Sequence, residues 1–406
     1  MPPPDKNTSV FPHGHIDRST WKRVRLGDVG YTYNGLSGKT KQDFDAGDAF
    51  YIPFLNVLEN TEIDINNLGR VNVSALEKQT CVQKNDLFFN TSSETPEEVG
   101  MCAYLSQELS NTFLNSFCFG FRLYNIHVAE PRFLVYLFNS AYGRRVISSL
   151  AQGVTRYNLS KERLLQSDIH LPPVTEQLRI ASCINIVEKN LVDMQTLISK
   201  YDAIKKATVN LLLKPTGTHM VKLGEVADIS RGGSPRPIQD YITADIDGIN
   251  WIKIGDVSVD AKYIKQTEER IKPTGVAMSR QVKAGDFILS NSMSFGRPYI
   301  LKIDGCIHDG WLAIQNYQNT FDVDYLYYLL GSDMVFAQYI ENAAGSSVKN
   351  LNKDIVAKIR LPAPSLSEQC KIAEQITAID NALADYKAQL EKARQLKAGM
   401  MSYFFG

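Results

Sequence analysis

The chain has 406 residues, enough for two or more domains with cores of their own, and its 44% hydrophobic and 22% charged content is that of an ordinary globular protein. Lys+Arg and Asp+Glu are both 44, so the chain lacks the basic footprint of a protein that holds DNA unaided. No apolar run approaches the ~18 residues of a membrane span, and the six cysteines include no C-x-x-C pair, which fits reduced thiols in the cytoplasm and neither a disulfide frame nor a zinc site.

In chain order, "MPPPDKNTSVFPHGH" shows no charged-then-apolar signal pattern, and residues 1–20 are expected to be a disordered lead. A globular block follows over 21–172, then a long helix over 173–214. A second block covers 215–362 and a second long helix covers 363–406. The helices open on related words, "LPPVTEQLRIA" from Leu171 and "LPAPSLSEQCKIA" from Leu361. The shift is 192 positions, Ile180 to Ile372. At that shift Ile180, Ile184, Val187, Leu191, Met194 and Ile198 correspond to Ile372, Ile376, Ile379, Leu383, Tyr386 and Leu390. Steps of four and three make this a heptad seam. Pro172, Pro173, Pro362 and Pro364 stand just upstream, where proline is tolerated, and Thr175 and Ser367 are the expected N-caps, each followed by an acidic residue. About 35 residues of helix would be ~50 Å long. A helix of that length with one narrow stripe needs a partner, and its own repeat is available.

The globular blocks echo each other as well. "WKRVRLGDV" parallels "MVKLGEV", "VQKNDLFFN" parallels "VKAGDFILSNS", and "GVTRYNLSK" parallels "GSSVKNLNK". Short β-branched and aromatic runs punctuated by Gly, Asp and Asn predict mixed, β-rich domains with a few helices. The expected fold is α+β: two mixed β-rich globular domains, separated by two long antiparallel coiled-coil helices, with an internal pseudo-two-fold repeat.

The "LPP…EQ…IA" openings, the leucine-rich heptads, the endings "LKP" and "FFG", and "GLSGKTKQDF", "SRGGSPRP", "WIKIGDV" and the G-x-x-x-x-N-L turns carry a resemblance. From Trp21 to Gly406 the chain resembles the specificity (S) subunits of Type I restriction-modification systems, a prokaryotic defence machinery. The resemblance implies a non-catalytic subunit that reads a bipartite site in double-stranded DNA, one half-site per globular block. It implies that the helices act as spacer and dock two methyltransferase (M) subunits. Those partners would hold S-adenosylmethionine and methylate adenine, restriction (R) subunits would join the complex, and this chain would bind no cofactor.

The residues themselves offer candidates for DNA contact. "GLSGKT" is not a P-loop, because Tyr33 stands where the first glycine is required; a polar loop with Lys39 and Lys41 on phosphates is the better reading. In "SRGGSPRP", Arg231 and Arg236 have the chemistry to grip guanine or phosphate. Asn90 and Ser92, then Asn291, Ser292 and Arg297, follow matched strands with short polar groups suited to base edges. Arg156, Tyr157 and Lys349 sit in the turns before each helix. Each could equally be ordinary loop polarity. No Asn/Asp-Pro-Pro-Tyr/Phe box appears, and the six histidines have no metal-ligand spacing. The alternatives on residues alone are a coiled-coil scaffold without DNA binding, or an enzyme with a degenerate motif.

Overall fold

A computed structural model describes residues 18–74, 76–214, 219–258, 261–291, 296–343 and 351–406. Of the expected lead, residues 1–17 lie outside the described residues, and Arg18–Thr20 forms a single 3₁₀ turn. The chain divides into two compact units. One comprises residues up to Gln195 together with Gln389–Gly406; the other is Thr196–Ala388.

The first unit is built on a four-stranded sheet. Its strands are β1 (Gly30–Asn34), β2 (Leu87–Asn90), β3 (Cys102–Tyr104) and β4 (Cys118–Leu123), in the antiparallel order β1-β4-β2-β3. "LFFN" is buried on both faces, which explains its unbroken apolar run. Phe89 stacks on Phe119 at 5.3 Å and meets Phe138 edge-on, so the sheet packs on helix α1 (Pro131–Asn139). Proline at N1 and the Glu130 carboxylate, which accepts the Phe133 amide at 2.6 Å, start that helix. Beside this sheet a three-stranded one runs Gly69–Val71, Phe44–Ile52, Thr112–Leu114. Lys22–Arg25 pairs antiparallel with Asp168–Leu171, which ties the start of the domain to its end immediately before the long helix α2 (Val174–Leu212).

The second unit repeats the plan. Its strands β5 (Asp228–Arg231), β6 (Phe287–Ser290), β7 (Pro298–Leu301) and β8 (Trp311–Gln315) take the order β5-β8-β6-β7, with Tyr263–Ile264 added in parallel at the edge. The neighbouring sheet has five strands here. Helix α3 (Val323–Leu330) starts on Asp322, whose carboxylate accepts from Asp324 and Tyr325. Met220–Lys222 pairs with Arg360–Pro362 ahead of the second long helix, α4 (Leu366–Phe405).

The N-caps of the long helices lie earlier than Thr175 and Ser367. The first helical bonds run from Gln177 to the Pro173 carbonyl and from Gln369 to the Ser365 carbonyl, so Pro173 and Ser365 are the N-caps and Thr175 and Ser367 lie inside the first turn. The Ser365 hydroxyl also accepts the Glu368 amide at 3.3 Å. Every residue of the expected seam is buried or half-buried. In the first unit Ile180, Ile184 and Val187 share a core with Met400 and Phe405, near opposite ends of the two helices. In the second, Tyr201 meets Tyr386 at 5.1 Å and Lys205 pairs with Asp380 at 2.6 Å, the antiparallel sense.

Two devices fix helix to domain, each present twice at the 192-residue shift. Gln177 donates to the Pro172 and Val128 carbonyls and accepts the Glu130 amide at 2.9 Å. Gln369 donates to Pro364 and Thr320 and accepts the Asp322 amide, also at 2.9 Å. Both glutamines are 0% exposed, and each satisfies backbone groups at the start of the domain's own helix. The Tyr136 hydroxyl donates to Glu188 at 2.6 Å, and Glu188 receives Lys397 at 2.7 Å. Tyr328 donates to Asp380 at 2.8 Å, and Asp380 receives Lys205.

Candidate nucleic-acid interface

In the first unit the expected residues fall into two groups. A three-stranded ribbon pairs Ser92–Ser93 with Tyr157–Asn158, and those with Ala151–Gln152. It brings Asn90, Ser92, Arg156 and Tyr157 together. Arg156 is exposed and its Nε donates to the Ser92 hydroxyl at 3.1 Å. Asn90 is different. It is 0% exposed, donates to the Ser92 and Glu98 carbonyls and accepts the Met101 amide at 2.6 Å. Its amide braces the turn after β2 and does not reach outward, contrary to the expectation of a base-edge contact.

Lys39 corrects the reading of the 35–43 loop in the same way. Its side chain is 5% exposed, and its ammonium donates to the Asn72 carbonyl at 2.6 Å and to Glu77 at 2.7 Å. The Lys39 bond, with the Ser74 amide and Gln79, holds the Glu77 carboxyl down at about 2. Lys39 is an internal brace, whereas Lys41 is exposed in the turn that Thr40 and Asp43 cap. Gly35 lets this loop lie against the next: a Cβ there would stand 2.0 Å from the Asn115 carbonyl oxygen.

In the second unit three of the expected residues converge on one position the sequence did not single out, Asp309. Its backbone carbonyl accepts from Arg231 Nε and from Asn291 Nδ2, both at 3.1 Å. Its carboxylate accepts the Ser234 hydroxyl at 3.0 Å and lies 2.9 Å from His308 Nε2 and 3.6 Å from Arg236 Nη2. Partial burial pushes this carboxyl up, but Ser234, His308, Arg236 and Arg231 outweigh it and hold it below the usual carboxylate range. Ser234, Arg236, Trp251, Lys253, Glu269 and Asp309 line a cleft of about 850 Å³. Asn291 is buried as a brace, like Asn90, and not presented outward. Arg297 is half-buried and lines a separate cavity of about 340 Å³ with Lys205, Tyr327 and Phe336. Ser292 and Lys349 lie outside the described residues. Asp309 sits in the short "HDG" link between two strands, and no local pattern marks it.

The family model for the type I restriction modification DNA specificity domain matches the chain twice, over residues 18–200 and 215–393. The chain belongs to this family. Two relatives from Methanocaldococcus jannaschii are each 23% identical to it. One, a putative type I restriction enzyme MjaX specificity subunit, matches 89% of this chain and 88% of its own length; the other, the MjaVIII specificity subunit, matches 94% and 92%. The fold is that of the S subunit from M. genitalium (TM-score 0.59, 15% identity, 95% of this chain and 96% of that one). It is also that of the HsdS subunit from Thermoanaerobacter tengcongensis (TM-score 0.51, 20% identity, 96% and 97%). As a specificity subunit with two specificity domains, this chain recognises a bipartite DNA sequence and is not itself the catalyst. Among the described residues no helix is long and apolar enough to cross a membrane.

Proposed function

We propose that each globular domain reads one half-site, and that the long helices set the spacing between half-sites and dock two methyltransferase subunits in the cytoplasm. The observation that carries this reading is the 192-residue repeat of the glutamine clasp and of the tyrosine–carboxylate–lysine trio. A chain built twice on one plan suits a target written in two parts. Exposed Leu178, Ile186 and Val192 on α2 supply apolar surface for a partner. The methyltransferase would hold S-adenosylmethionine and methylate adenine, and restriction subunits would join through that complex. In the first domain Lys41, Arg156 and Tyr157 would face DNA; in the second, Arg231, Arg236 and Arg297 would. With zero formal net charge the chain alone would bind DNA poorly and gain affinity with its partners, since phosphate neutralisation dominates that affinity.

Methylation sequencing of DNA modified by hybrid complexes tests the reading. Exchanging residues 21–172 for the matching block of a relative is expected to rewrite one half-site and leave the other half and the spacer intact. Lengthening both helices in register is expected to change the spacer alone. A block exchange that rewrote both halves would overturn it.

A further inference from the structure

The acidic residue at the centre of the second domain's loop cluster is out of place on a DNA-facing surface, because a carboxylate repels phosphate. Its surroundings explain it. Gly310 donates its amide to His308 Nδ1 at 3.0 Å, so Nε2 carries the imidazole proton and points it at the Asp309 carboxylate. The Ser234 hydroxyl donates to the same oxygen. Those two donors fix the carboxylate. Its other oxygen faces Arg236, whose side chain is 81% exposed, across 3.6 Å. That separation is an ion pair without a hydrogen bond, which a phosphate can displace. Arg231 is held differently, by a neutral carbonyl on its Nε. Its two terminal nitrogens have no partner among the described residues and form the end-on pair that matches guanine O6 and N7.

We propose that Asp309 is a positioning residue that sets the discrimination of the second domain. Its carbonyl aims Arg231, and its carboxylate restrains Arg236 from indiscriminate phosphate contact. Cognate DNA seats Arg231 on a base edge and draws Arg236 away from the carboxylate; non-cognate DNA meets the negative charge with Arg236 still bound to it. The proposal rests on the second domain reading a half-site.

The test uses the complete complex of this chain with its methyltransferase subunits. Asp309→Asn, Asp309→Glu and Arg231→Ala complexes are titrated with duplexes carrying the cognate or singly altered second half-site, over a range of salt. Asp309→Asn keeps the backbone carbonyl but removes the charge. Its ratio of cognate to non-cognate affinity is expected to fall by about tenfold, through tighter non-cognate binding. The salt slope on non-cognate DNA is expected to steepen by ~0.9, one added phosphate contact. Asp309→Glu is expected to recover most of the discrimination, which a purely packing role would not allow, because the longer side chain packs worse. Unaltered methylation at the first half-site serves as the folding control. If Arg231→Ala degrades the second half-site while Asp309→Asn leaves ratio and slope unchanged, this proposal falls alone. If neither substitution touches the second half-site, the assignment of that half-site to this domain falls with it.

Discussion

β1 ends on Asn34, opposite Phe119 of β4; β5 ends on Arg231, opposite Leu312 of β8. Counting from those pairs, Gly35 and Gly232 are equivalent, and each is pressed on a carbonyl, of Asn115 or His308, that would lie 2.0 or 2.1 Å from an added Cβ. One residue further along the facing loop the match ends: Ser116 stands where Asp309 stands. Lys39, at the place of Arg236, is braced inward by Glu77, whereas Arg236 is exposed beside Asp309. The two domains therefore share backbone approaches that a side chain would obstruct, and differ in which polar groups those approaches carry. A scaffold duplicated in this way can vary its chemistry at the loop tips without disturbing the clasp to the helices, and two different half-sites follow naturally.

The buried aspartates give the largest way to break that comparison. Asp86 is 1% exposed and accepts from Tyr33, the Gln83 amide and the Arg122 guanidinium, at 2.5–2.7 Å. In the second domain Gln315 takes the place of Arg122, and Asp286 accepts from it and from the Lys283 amide. Asp86→Ala strands a partly buried cation and is expected to cost about 3–5 kcal/mol. Asp286→Ala strands neutral donors and is expected to cost about 1–3 kcal/mol. Denaturant melts followed by domain-resolved hydrogen exchange would measure both; equal losses would contradict the distinction. Next in size are the seam leucines. Leu383 is 4% exposed and Leu191 half-buried, so Leu383→Ala is expected to cost about 2–5 kcal/mol and Leu191→Ala roughly half that, in the same melts. The smallest effect is local and acid-dependent. The Glu77 carboxyl is held at about 2, below its unfolded value, so its bond to Lys39 is fully present above about pH 4.5 and is lost as pH falls toward 2. A carboxyl NMR titration should place Glu77 near 2 in the native chain and near the ordinary glutamate value in Lys39→Gln. A native midpoint near 4.5 would remove the brace from the account.

The architecture was legible because the repeat wrote it twice. Heptad phase, entry words and the 192-residue shift marked both long helices and picked out twelve positions on them that are buried or half-buried. The caps were misplaced because Thr175 and Ser367 precede acidic residues, while the first cap is the Pro173 carbonyl, which no side-chain preference reports, and the second is Ser365, whose hydroxyl also takes the Glu368 amide. At the loops, residue type revealed polarity but not direction. Asn90, Asn291 and Lys39 looked like outward groups, yet their partners lie inward, Glu77 being 38 residues along the chain. Asp309 was invisible for the same reason: its partner Ser234 is 75 residues away in sequence. The repeated Gln177 and Gln369 stood in plain view inside the entry words, and their identity at the 192-residue shift was the signal that could have marked them as clasps.

The first unit is closed by Gln389–Gly406, not by the residues that follow it in the chain. Phe405 packs on Phe133 at 5.4 Å, and Met400 joins Ile180 and Ile184 in one core. On a ribosome adding ~5–20 residues per second, the stretch from Gln195 to Gln389 takes roughly ten to forty seconds. Through that interval the domain made first waits with its helix seam uncovered, while every residue the second needs, Thr196–Ala388, emerges without interruption. The order of synthesis and the order of completion are therefore reversed, and nascent chains stalled before Gln389 should present the first domain, not the second, to chaperones.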